Sequence, residues 1–223
     1  ISIAIDGPSG AGKSTIARAV ASRRGFLYID TGALYRAVGL YALRSGVEPK
    51  DEAPVIALLE KIKLSLRHDA EGKQHVLLCG EDVSEDIRSS EVSLAASAVA
   101  AIPAVREFLL ECQRSLAREH DVVMDGRDIG TFILPKAQIK IFLTASSADR
   151  ARRRFDELRA RGEDITYEQV LADVEARDTQ DEQRAVMPLR PAPDAVTVDT
   201  TGNTLEESIR LLDVLIGNKL RQL

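Results

Sequence analysis

The sequence predicts an α/β fold built on a parallel sheet with helices on both faces. Five apolar, strand-like runs recur along the chain, at Ile1–Asp6, Phe26–Asp30, Val122–Asp125, Ile139–Thr144 and Ala195–Asp199. Helical patterns separate them, and strands alternating with helices build βαβ units. Val122-Val123-Met124 is apolar at consecutive positions, as a strand covered on both faces must be.

The first strand runs straight into Gly7-Pro8-Ser9-Gly10-Ala11-Gly12-Lys13-Ser14, followed by Thr15. This is G-x-x-x-x-G-K-[ST], a phosphate-binding P-loop between a strand and a helix expected over Lys13–Arg24. Its glycines let the backbone wrap a polyphosphate with N–H groups pointing inward, and the helix N-terminus adds partial positive charge. Lys13 can reach the outer phosphates, and the Ser14 hydroxyl can ligate Mg²⁺. The chain therefore binds a nucleoside triphosphate or something close to it.

Residues 62–90 break the alternation. Lys63-Leu64-Ser65-Leu66-Arg67 alternates polar and apolar, a turn follows at Asp69-Ala70-Glu71-Gly72, and His75–Gly80 resumes an apolar run. We read an inserted, half-solvated antiparallel hairpin, the alternative being a long edge excursion of the main sheet. Beyond it, Ser90–Ile102 is Ala-rich and helical, and Pro103 suits the first turn of a second helix running to Glu119. Two charged helices come later, one carrying Arg150, Arg152, Arg153, Arg154, Arg159 and Arg161, the other Arg177, Asp178, Asp181 and Arg184. A last helix, Thr204–Leu220, carries the stripe Leu205, Ile209, Leu212, Ile216 and is expected to pack on the sheet.

Composition narrows the function. With 223 residues and a net charge of −5, the chain suits one domain and argues against a nucleic-acid surface. It holds no 18-residue apolar run, so no membrane span is expected. It opens directly into a strand, so no signal peptide is expected either, and a cytoplasmic location follows. Cys79 and Cys112 form no CxxC pair, and His68, His75 and His120 show no metal-ligand spacing.

Asp125 ends a buried strand, the place for a carboxylate that holds Mg²⁺ beside a P-loop. Arg127 follows two residues later, and Arg36 sits early in the helix after the second strand. Arg177, Asp181 and Arg184 fall at i, i+4 and i+7, so one helix face would present all three. Ion pairing on a solvated face would explain one such cluster. Three arginine sites at element ends fit a second phosphate site better, since the guanidinium fork matches phosphate oxygens. A nucleotide α-phosphate is already an anionic nucleophile and needs alignment rather than a base. The Arg150–Arg161 helix suits a closing lid, or a solvated helix laced by acids such as Asp156 and Glu157. No Asn-Lys-x-Asp element appears, which disfavours GTPase switching.

These residues resemble the bacterial cytidylate kinase family. The matching stretches are Ile5–Thr15, Asp30-Thr31-Gly32-Ala33-Leu34-Tyr35-Arg36, Gly80–Ser84, Asp125-Gly126-Arg127-Asp128-Ile129-Gly130-Thr131, Lys140–Ser146, Arg177-Asp178 and Arg184-Ala185-Val186. The resemblance implies a single P-loop kinase domain over 1–223 with a five-stranded parallel sheet. Residues 62–90 would be an inserted monophosphate-binding subdomain, and 146–185 a helical lid with flanking helices. It implies phosphoryl transfer from ATP to CMP or dCMP with Mg²⁺, for which Ser14 and Asp125 are the expected ligands; a monomer without nucleic-acid or membrane partners is expected. By the resemblance, Gly7–Thr15 bind ATP, and Arg36, Arg127 (with Gly126) and Arg184 hold the CMP phosphate. Arg177 and Asp181 would hold the ribose; Ser97, Arg106 and Asp128 would read cytosine; Thr31 and Tyr35 would shape the site. Lys13, Arg127 and Arg184 are the expected catalytic residues, with Arg150 and Arg154 as lid arginines one turn apart on one face. A kinase for another small phosphorylated acceptor, or an ATP-hydrolysing regulator, is the alternative.

Overall fold

The computed structural model describes residues 1–69 and 73–223. The expected turn at Asp69–Gly72 falls mostly on residues 70–72, outside the described residues. In chain order the elements are β1 (Ser2–Asp6), α1 (Lys13–Arg24), β2 (Leu27–Asp30), α2 (Thr31–Arg44), α3 (Glu52–Leu59), β3 (Leu64–His68), β4 (Gln74–Leu78) and β5 (Glu81–Asp82). Then follow α4 (Ser90–Val99), α5 (Pro103–Glu119), β6 (Val122–Gly126), β7 (Ile139–Thr144), α6 (Ser147–Ala160), α7 (Tyr167–Glu182), β8 (Val196–Asp199) and α8 (Leu205–Leu220). A π-helical turn, Ile129–Ile133, lies between β6 and β7.

The five apolar runs are the five strands of one sheet, in the order β2-β6-β1-β7-β8. Two compact units divide the chain: Ile1–Phe26 with Val123–Leu223, and Leu27–Val122.

In the first unit, β1 pairs in parallel with β7, Ile3 opposite Ile139 and Ile5 opposite Ile141. β7 in turn pairs in parallel with β8. Ile3, Ala4 and Ile5 are wholly buried, which is why β1 reads as uninterrupted apolar sequence. Helices α6 and α7 form an antiparallel pair around Ala151, Leu158, Val170 and Val174. The start of α7 is fixed by a capping box between Thr166 and Gln169.

In the second unit, β3, β4 and β5 form a separate antiparallel sheet, with Leu66 opposite Val76 and Leu78 opposite Glu81. The sequence indicates only a hairpin here. β5 is two residues long, too short to leave a period-2 pattern. The alternating residues of β3 lie half-buried or exposed while Val76 and Leu78 of β4 enter the core with Leu34, Val38, Val55 and Leu109. Helix α3 carries Pro54 in its first turn and leaves no sequence signal that we read. The helix expected over Ser90–Ile102 ends at Val99, and the chain reopens as α5 at Pro103. The residue before a proline is pushed out of the helical region, and Ile102 is extended with ψ 117°.

Candidate active site

The loop Gly7–Thr15 connects β1 to α1. Gly7 is required by close approach, because a Cβ there would lie 1.9 Å from the Leu143 carbonyl oxygen of β7. No side chain caps α1, so its first-turn N–H groups remain for a phosphate. Lys13 is 6% exposed and its Nζ donates to the Pro8 carbonyl at 2.7 Å. Burial, and then the charge of Arg127, pull its pKa well below the ordinary lysine value; Asp125, Asp181 and Asp6 pull the other way. Lys13 is thus in electrostatic reach of both arginine and carboxylate groups of this unit. A triphosphate beside it would restore full protonation.

Ser14 Oγ donates to Asp125 Oδ2 at 2.9 Å, across 111 residues of sequence. Asp125 is 3% exposed at the end of the fully buried β6. Two hard oxygen ligands on rigid elements suit Mg²⁺, which keeps several waters and takes its other ligands from phosphates. Among the described residues no cluster of three or more His, Cys, Asp or Glu is arranged to hold a metal by protein ligands only.

Immediately after β6 the arginines gather on one carboxylate. Arg127 Nε donates to Asp181 Oδ2 at 2.8 Å, and Arg184 pairs with Asp181 Oδ1. Gly126 offers its carbonyl to Arg127 Nη1 at 3.4 Å. Asp181 is 3% exposed. Burial opposes its ionisation, but Arg127, Arg184 and Arg177 outweigh it and hold the pKa below the ordinary value. Arg184 does not share a helix face with Arg177 and Asp181, as the spacing suggests: α7 stops at Glu182, with Gln183 N–H bonded to the Thr179 carbonyl. The Leu189 N–H returns to the Asp181 carbonyl at 2.8 Å, and Arg184 pairs with Asp181 from just beyond the helix end. Asp128 is buried at the N-terminus of the π-helical turn.

The two expected lid arginines sit in different surroundings. Arg150 is buried and donates from Nε to the Ala145 carbonyl at 2.8 Å, and from Nη1 to the Ser9 carbonyl and to Asp178 Oδ1, each at 3.0 Å. It therefore ties the P-loop backbone to the end of β7 and to α7. Arg154 is partly exposed and pairs with Glu157 at 3.2 Å.

In the second unit the expected residues lie on α2, α4 and α5. Arg36 pairs with Asp30 at 2.6 Å, and Asp30 also caps α2 through the Ala33 N–H. Thr31 is the buried first residue of α2. Tyr35 and Arg106 come together, the Arg106 guanidinium standing 5.7 Å from the ring centroid while Nη1 donates to the Ala100 carbonyl. Ser97 is buried on α4.

A family model for cytidylate kinase matches residues 3–216. The chain belongs to the cytidylate kinase family. It is similar to a cytidylate kinase of Desulfitobacterium hafniense, 50% identical over 220 residues that cover 99% of this chain and 94% of the relative. A cytidylate kinase of Pelotomaculum thermopropionicum is 52% identical over 210 residues, covering 94% of this chain and 93% of the relative. A crystal structure of an uncharacterised protein from Eubacterium ventriosum matches with a TM-score of 0.50 at 12% identity, covering 97% of this chain and 98% of that one; this likeness concerns the fold only.

For a member of the cytidylate kinase family, the sequence reading leaves four residues without a role that the structure places at the site's supports. Asp30 orients Arg36, Asp178 receives Arg150, and Asp6 bonds the backbone after Asp128. Arg153 donates to the Thr200 carbonyl at 2.9 Å and approaches the P-loop, since a Cβ on Gly12 would come within 4.0 Å of its Nη1. The signal available was an acid at the end of a strand, and β1 and β2 both carry one.

Proposed function

We propose that this protein transfers the γ-phosphoryl group of ATP to CMP or dCMP, giving CDP or dCDP and ADP. The observation that carries the reading is the arginine pair on Asp181, set within electrostatic reach of the P-loop lysine. A P-loop by itself serves hydrolysis as well as transfer. A second cradle of positive charge is useful only when a second phosphorylated ligand must be held beside the first. Membership of the cytidylate kinase family supports CMP as that ligand.

An α-phosphate oxygen of CMP attacks the γ-phosphorus of ATP; the bond from that phosphorus to the β,γ-bridging oxygen breaks, and its electron pair leaves with ADP. The nucleophile is already an anion, so no general base is needed. Arg127, Arg184 and Arg36 neutralise the acceptor phosphate and align it, while Lys13 balances charge on the β- and γ-phosphates. Ser14 and Asp125 would hold Mg²⁺, which when bound would supply positive charge against the phosphates. Arg177 and Asp181 take the ribose, Ser97, Arg106 and Asp128 the cytosine, and Thr31 and Tyr35 shape the pocket. Arg150 steadies the P-loop, and Arg154 belongs to the lid. The protein acts on free nucleotides as a cytoplasmic monomer, a reading that its net charge of −5 supports over a nucleic-acid surface.

The test measures ADP release with ATP alone and after adding CMP, dCMP, UMP or AMP singly. Release that depends on CMP or dCMP is expected. ADP formation at one rate whatever the acceptor would sink the reading.

A further inference from the structure

Asp6 ends β1, directly before the P-loop, and is 4% exposed. Its Oδ1 accepts the N–H of Ile129 and its Oδ2 the N–H of Gly130, both at 2.7 Å. These are the first two N–H groups of the π-helical turn, which that turn cannot satisfy itself; its own bonds start with Phe132 and Ile133 N–H to the Asp128 carbonyl. A carboxylate from another strand, 123 residues away, therefore closes the turn.

We propose that Asp6 is a positioning residue for the acceptor loop: by holding the Ile129 and Gly130 N–H groups it fixes the segment that presents Arg127 and Asp128. The inference rests on the proposed function, in which those two residues hold and read CMP. The segment is anchored at its entry by β6 and at its exit by Asp6. Between the anchors, Arg127 must meet Asp181 and Asp128 must stay buried. Strand packing gives no reason for an acid here, since Ile3, Ala4 and Ile5 are wholly buried in apolar surroundings. Burial of Asp6 is unfavourable enough to push its pKa up to about 7 despite both N–H bonds. Gly130 completes the arrangement. A Cβ there would lie 3.3 Å from Asp6 Oδ2 and 3.1 Å from Lys140 Cδ, so a side chain would crowd the carboxylate.

The decisive variant is Asp6→Asn. An amide accepts one N–H and presents its own N–H₂ to the other, so one anchor is lost with little change in volume. We expect a folded protein, faster exchange of the Ile129 and Gly130 amides, and ATP affinity close to wild type. CMP affinity should fall by about tenfold, the scale of one lost charge-assisted hydrogen bond. The ratio of kcat/KM for CMP to that for UMP should fall as well, which a general loss of stability would not produce. Normal CMP affinity and an unchanged ratio in folded Asp6→Asn would overturn the proposal. If that variant does not fold, Gly130→Ala carries the test: a weaker shift of the same pattern supports the proposal, and unaltered CMP affinity overturns it. Should the wild-type protein neither bind nor phosphorylate CMP, the functional reading fails separately. Amide exchange then decides the positioning role: protection of residues 129 and 130 lost in Asp6→Asn supports it, and unchanged protection refutes it.

Discussion

Arg127→Ala tests the proposed division between donor and acceptor. The guanidinium is assigned to the CMP phosphate, and a hydrogen bond to a charged group is worth ~1.5–3 kcal/mol. At about 1.4 kcal/mol per factor of ten, CMP affinity should fall roughly 10- to 150-fold. The free protein loses stability too, because Arg127 holds the buried Asp181. Arg184 and Arg177 remain near that carboxylate, so the cost should be about 1–2 kcal/mol rather than the ~3–5 kcal/mol of a buried charge left without its partner. The pH dependence has a definite sign. Arg127 helps depress the Asp181 pKa in the folded state, so its stabilisation is present above the unfolded value of 3.8 and is lost as pH falls through the folded value. The stability gap between wild type and variant should therefore be full near neutrality and close in acid. ATP binding moves the other way. Arg127 is one of the charges that depress the Lys13 pKa, so its removal leaves Lys13 more readily protonated. Calorimetric titration of CMP and of ATP separately, with thermal unfolding across pH, measures all of this. Arg127→Lys should fall between, keeping the charge but losing the fork. Collapse of ATP affinity with CMP affinity intact would refute the assignment and move Arg127 to the donor side.

Lys13→Ala should abolish transfer while the fold survives, and a coupled assay showing wild-type turnover would remove the P-loop from the mechanism. Gln113 of α5 is 1% exposed, and neither its Oε1 nor its Nε2 finds a partner among the described residues. Gln113→Met, close in size, should stabilise the protein by about 1–2 kcal/mol, roughly 2–8 °C in Tm; a lower melting temperature would contradict the desolvation argument. His75 bonds Asp69 and then Asp82, and both bonds raise its pKa above 6.5. The stabilisation is therefore complete below 6.5 and fades as pH rises through the folded value. Protection of the β3–β4 amides, corrected for intrinsic exchange, should decline over that window, and His75→Gln should remove the dependence; persistence of the decline in the variant would exclude His75 as its source.

Local chemistry carried much of this protein in plain view. The P-loop is legible because a phosphate cradle is made within eight successive residues, where glycine, lysine and serine act at fixed short spacing. The sheet strands are legible because burial on both faces leaves no room for alternation, as Ile3-Ala4-Ile5 and Val122-Val123-Met124 demonstrate. Helix α5 announces its start with Pro103. Short or irregular elements escape such reading. β5 spans a single strand period, too little to show alternation, and the π-helical turn at Ile129–Ile133 has a spacing that no common pattern marks.

Which polar groups share a buried partner is settled by the three-dimensional fold. The helical repeat puts Arg184 on the face of Asp181; the fold ends α7 at Glu182, and Arg184 pairs with Asp181 from outside the helix. Arg150 reads as a lid arginine, but its guanidinium is committed to Ser9, Ala145 and Asp178. Asp6 reads as the last residue of a strand and proves to hold a turn 123 residues away. Arg150 and Asp6 escape sequence reading for one cause. Periodicity records which side of an element avoids water, and that is settled within a few residues. A buried charge must be satisfied by whichever donor or acceptor the fold brings beside it, and that partner has no fixed distance along the chain.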